Sequence, residues 1–91
     1  MAMTAAQQAE YLQSHGKAIP VLRAAVEEEE AGTSDKHYLG WEWDKVRAYP
    51  ATLMRLVVDG VIRVNYRSNN YTSYMLVDRA ATKQALARLP R

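Results

Sequence analysis

Apolar residues along this chain keep helical spacing in several stretches and alternate in two others. Thr4-Ala-Ala-Gln7 reads as a capping box, in which the hydroxyl and the amide satisfy two early helix donors. Helix formers follow up to His15, and Gly16 stands where a helix would stop. The apolar face of this first helix is thin (Ala5, Ala9 and Leu12), which predicts weak docking or fraying over residues 1–18. Pro20 suits the first turn of a second helix, and Val21, Leu22, Ala25 and Val26 form one of its faces. Glu27–Glu30 extends that helix as a solvated acidic end, and Ala31-Gly-Thr-Ser-Asp35 reads as a loop. From His37 to Trp43 the pattern alternates, placing Leu39, Trp41 and Trp43 on one side of an extended segment. Asp44 is positioned to cap a short helix, Lys45–Ala48.

Pro50 opens the next helix. Leu53, Leu56 and Val57 form its buried stripe, Ala51, Thr52 and Arg55 share another face, and Gly60 ends it in the left-handed conformation. Two alternating runs follow, Ile62–Arg67 and Tyr71–Leu76, as a hairpin. A two-residue turn at Asn69-Asn70 would pair Ile62 with Val77. A three-residue loop, Ser68–Asn70, pairs Ile62 with Leu76, Val64 with Tyr74 and Tyr66 with Thr72. The second register joins the larger apolar groups and leaves Arg63, Asn65 and Arg67 together on the opposite face, so it is the one expected. Asp78 caps a last helix with Ala81, Ala85, Leu86 and Leu89 facing inward and Pro90 at its end.

Composition narrows the function classes. The 91 residues are 48% hydrophobic and 24% charged, as expected of one globular domain. No apolar run approaches the roughly 20 residues a membrane-spanning helix needs, and no secretory signal is expected. The absence of cysteine removes disulfides, thiol catalysis and thiolate metal sites and fits a cytoplasmic protein. His15 and His37 are not joined by further ligands, so no metal site is expected. No nucleophile–base set, glycine-rich phosphate loop or catalytic carboxylate pair is present, so neither an enzyme nor a cofactor is expected. Tyr11, Tyr38 and Tyr49 read as packing residues, and at least one of Trp41 and Trp43 as core.

Charge is unevenly placed. Residues 1–44 carry three Lys/Arg against eight Asp/Glu, a net −5; residues 45–91 carry nine against two, a net +7. Such asymmetry points to a polyanion-facing half, or to two halves that neutralise each other on folding.

Within the predicted order, Pro50-Ala51-Thr52, the stripe Leu53/Leu56/Val57, Asp59-Gly60 before Val61–Arg67, and the returning Tyr74-x-Leu76 resemble the winged helix-turn-helix superfamily over residues 19–89. The resemblance implies an α+β, mainly helical fold with a C-terminal β-hairpin wing flanked by terminal helices. It also implies double-stranded DNA as partner, with Pro50–Asp59 in the major groove and a role in transcriptional regulation. Thr52 and Arg55 would then meet base edges beside Ala51, and Lys45 and Arg47 would hold the backbone. Arg63, Arg67, Ser68, Asn69 and Asn70 would reach phosphates or the minor groove, and Tyr71 would stack on a base or pack on the ribose. Alternatively, Arg55 pairs with Asp59 at i+4 and the hairpin arginines are solvated strand charges. An alternative function is protein contact: a homodimer or larger partner on the acidic half, the tryptophans and the Ala5/Ala9 face, or an accessory piece of a helicase.

Overall fold

Residues 3–89 are described by a computed structural model. Thr4 caps helix α1 (Ala5–Ser14) with the reciprocal box expected. Its hydroxyl accepts from the Gln7 amide (3.1 Å), and the Gln7 side chain accepts from the Thr4 amide (2.8 Å). Helix α2 (Ala18–Gly32) buries Val21, Leu22, Ala25 and Val26 as its spacing dictates. It runs through Ala31 and Gly32, which were expected in the loop. Helix α3 is a single turn, Trp43–Val46, closed by Arg47 in the left-handed region (φ 54°). Helix α4 (Pro50–Val58) carries Pro50 in its first turn, buries Leu53 and Leu56, and is followed by Gly60 at φ +81°. Strands β1 (Ile62–Ser68) and β2 (Tyr71–Leu76) form the hairpin, and Asp78 caps helix α5 (Arg79–Arg88) by accepting from the Ala81 amide. Pro90 lies outside the described residues.

Among the described residues, five helices and one antiparallel hairpin make a small α+β arrangement compatible with a winged-helix-like layout. An isolated bridge between Trp41 and Tyr74 lays the segment before α3 along the free edge of β2. Leu12, Leu22, Trp41, Leu53, Leu56, Val61, Ile62 and Leu76 meet in one core.

Several sequence expectations need correction. Helix α1 does not fray: Leu12 is buried, and α1 lies against α5. The thin apolar face misled because Gln8 is also buried, where its Oε1 accepts from the Thr82 hydroxyl at 2.6 Å. A polar pair thus supplements the missing leucines. Of the alternating trio Leu39, Trp41 and Trp43, only Trp41 is buried. The chain turns helical at Trp43 itself, which ends the alternation and places Glu42, not Asp44, at the cap position. Tyr49 is 80% exposed rather than packed. The Glu27–Glu30 run is not uniformly solvated, since Glu29 is buried.

The hairpin combines both registers. Ile62 pairs with Leu76 and Val64 with Tyr74, as the three-residue loop requires. Beyond a bulge at Asn65, however, Tyr66 pairs with Ser73, Arg67 with Thr72 and Ser68 with Tyr71, which leaves a two-residue turn at Asn69-Asn70. One extra residue on β1 reverses the facing of everything beyond it. Arg63 opposes Met75, on the face that Ser73 and Tyr71 share; Arg67 opposes Thr72, on the face of Tyr74 and Leu76. The expected joint face of Arg63, Asn65 and Arg67 is therefore split.

Candidate nucleic-acid interface

The expected contact residues fall into three groups. Lys45 and Arg47 are exposed at α3 and its end, where Arg47 shares a shallow pocket with Trp43, Asp44, Ala48 and Tyr49. In the hairpin, Arg63, Arg67, Ser68, Asn69 and Asn70 are exposed, while Tyr71 is half-buried with its ring 5.8 Å from that of Tyr66. Asn65 is anchored to the body, donating from Nδ2 to the Leu39 carbonyl (2.7 Å) and accepting from Arg63. The bulge therefore fixes the base of the hairpin and leaves its tip free.

The third group lies on α4. Ala51, Thr52 and Arg55 line a groove of about 500 Å³ whose other wall is the end of α1 and the turn into α2, including Tyr11, His15 and Lys17. Arg55 pairs with Asp59 one turn on (Nε to Oδ2, 3.0 Å), as its spacing allows. The same Asp59 oxygen accepts from the Tyr11 hydroxyl at 2.6 Å. That hydrogen bond, reinforced by Arg55, holds the Asp59 carboxyl below the usual range. Desolvation first, and then Asp59, push the Tyr11 phenol upward. Of the two expected base-edge readers, Thr52 is half-buried at the groove and Arg55 is exposed, with its side chain turned along the helix to Asp59. The exposed residues of α4 are Pro50, Ala51, Met54, Arg55 and Val58, with Met54 57% and Val58 71% exposed.

Ion pairing sorts the cations of the basic half. Arg79 and Lys83 on α5 meet Glu29 and Glu30 on α2, at 3.6 and 2.6 Å, and Arg55 meets Asp59. Among the described residues, Lys45, Arg47, Arg63, Arg67 and Arg88 make no ion pair. The acidic and basic halves thus neutralise each other in part, through α2 and α5.

Glu29 is the residue that sequence reasoning missed. Its Oε2 accepts from Trp41 Nε1 (2.9 Å) and from the Leu76 amide (2.6 Å), while Oε1 faces Arg79. A signal existed: Glu29 continues the stripe of Leu22 and Ala25 at helical spacing, alone among the four glutamates in doing so from both. Nearby, the Tyr38 phenol is pushed up to about 12, first by burial and then by the charges of Glu29 and Glu28. The expected partner surface on both tryptophans reduces to Trp43, because Trp41 is in the core. No three His, Asp or Glu side chains gather to hold a metal among the described residues, and no described helix is long and apolar enough to cross a membrane. In comparisons with protein-family models, curated proteins and solved structures, the chain matched none.

Proposed function

We propose that this chain is a winged-helix module that binds double-stranded DNA, gripping the phosphate backbone from α3 and the hairpin. The observation that carries this reading is the sorting of charge. The α5 cations Arg79 and Lys83 are used internally, while Lys45, Arg47, Arg63 and Arg67 are exposed and unpaired among the described residues, on α3 and the wing. Exposed arginine and lysine side chains without ion partners suit phosphate contact. Besides Arg55, the exposed face of α4 offers few hydrogen-bonding groups, so Arg55, with Thr52 at the groove, is left as base-edge reader and binding is only weakly sequence-selective.

Fluorescence anisotropy with a mixed-sequence duplex tests this. Affinity should fall steeply with salt. The double variant Lys45→Ala/Arg47→Ala should reduce the log–log slope by about 2, since each phosphate contact contributes about 0.9. Lys83→Ala should leave the slope unchanged. Absence of duplex binding at low salt, or an unchanged slope in the double variant, overturns the reading.

A second reading, protein contact, rests on Met54 and Val58 together with Trp43 (54% exposed) and Tyr49, since exposed aromatic and methionine side chains are enriched at interfaces. Sedimentation across a concentration series tests its homodimer form: a strictly monomeric chain removes it.

A further inference from the structure

The groove between α4 and the α1–α2 turn has features of its own. Its volume of about 500 Å³ lies within the range of small-molecule sites. The walls supply apolar surface from Tyr11 and Ala51 over the buried Leu56, and polar groups from Ser14, His15, Lys17, Thr52 and Arg55. None of its described lining residues is acidic. The nearest carboxylate in the network, Asp59, is already engaged by the Tyr11 hydroxyl and by Arg55 Nε. Lys17 is exposed and has no ion pair among the described residues. The groove is therefore apolar along its walls and cationic at its edge.

We propose that this groove binds a small organic anion, an apolar body carrying one carboxylate or phosphate group. The apolar part rests between Ala51 and the Tyr11 ring. The anionic group meets Lys17 and Arg55, where charge-assisted hydrogen bonds are strongest. The Thr52 hydroxyl, on the α4 wall, adds a donor for orientation.

The test is an NMR titration of the full chain with benzoate and with phenyl phosphate, using benzamide and inorganic phosphate as controls. At least one organic anion should give saturable shifts at the amides of Lys17, Ala51 and Thr52. Lys17→Glu should weaken binding about tenfold or more, and Ala51→Phe, which fills the groove from an exposed position, should abolish it. Lys83→Ala should bind as the unaltered chain does. Unsaturable shifts, benzamide binding as tightly as benzoate, inorganic phosphate binding as tightly as phenyl phosphate, or an unaffected Lys17→Glu variant each overturn the proposal. Occupancy would also cover Thr52 and Arg55. That consequence rests on the DNA reading, and displacement of bound duplex by phenyl phosphate measures it separately from the titration.

Discussion

Glu29 ties three stretches of chain to α2 with one side chain. The Trp41 indole, the Leu76 amide and Arg79 all converge on its buried carboxylate, so α2, the segment before α3, the end of β2 and the start of α5 share one anchor. Glu29→Ala leaves two buried N–H donors unmatched, at about 1–3 kcal/mol each. The expected loss is about 2–5 kcal/mol of a total near 5–15. Glu29→Gln, which keeps an acceptor oxygen, loses less. Urea unfolding at neutral pH measures both, and a Glu29→Ala variant of unaltered midpoint would contradict the anchor. Tyr11 and Asp59 give a second residue-scale expectation. Asp59 has a lowered pKa in the folded chain, chiefly from the Tyr11 hydrogen bond. Its contribution is complete above the ordinary carboxylate value of about 3.9 and is lost as pH falls through the depressed folded value. Tyr11→Phe removes that bond. The stability gap between the unaltered chain and Tyr11→Phe should therefore be constant from about pH 6 to 8 and shrink below about pH 4. Urea midpoints at pH 7 and pH 3 decide it; a gap of equal size at both refutes the coupling.

The hairpin and its neighbours mark the limit of what alternation reveals. Caps at Thr4 and Asp78, the start at Pro50 and the end at Gly60 were legible, because each depends on residues within four positions. Stripes on α2 and α4 were legible for the same reason. The bulge at Asn65 was not: it follows from Asn65 bonding to the Leu39 carbonyl, a contact 26 residues away. Glu29 was misplaced, and Gln8 passed over, because a polar residue reads as surface until its distant partner is known. Of the candidate site, the cations were legible, but their pairing and facing were not. Gly40 belongs to this class of long-range constraint. It has φ +109°, and a Cβ there would collide with the Tyr74 carbonyl oxygen. The Trp41 amide donates to that same oxygen at 3.0 Å. Gly40→Ala should cost about 1–3 kcal/mol and deprotect the Trp41 amide in hydrogen exchange well before the β1–β2 amides. Unchanged protection at Trp41 would show that the bridge tolerates a side chain.

Across the whole molecule, the excess positive charge divides into cations paired within the fold and cations that make no ion pair among the described residues. Arg79 and Lys83 face glutamates of α2, so removing them acts on the fold. Arg79→Ala leaves the buried Glu29 with less compensation and should cost about 1–3 kcal/mol. Lys83 is 62% exposed, and its pair with Glu30 should contribute no more than about 0.5 kcal/mol. Lys45 and Arg47 lack ion partners among the described residues, and replacing both with alanine should change stability by less than about 0.5 kcal/mol. Duplex affinity should respond in the opposite order, falling for Lys45→Ala/Arg47→Ala and holding for Arg79→Ala at a temperature where that variant remains folded. Urea unfolding and anisotropy on the same two proteins test both halves at once. If Lys45→Ala/Arg47→Ala unfolds the chain, those cations have a partner within the fold. If Arg79→Ala weakens duplex binding as much as the double variant does, attraction is set by net charge alone, and neither α3 nor the hairpin is the surface that receives DNA.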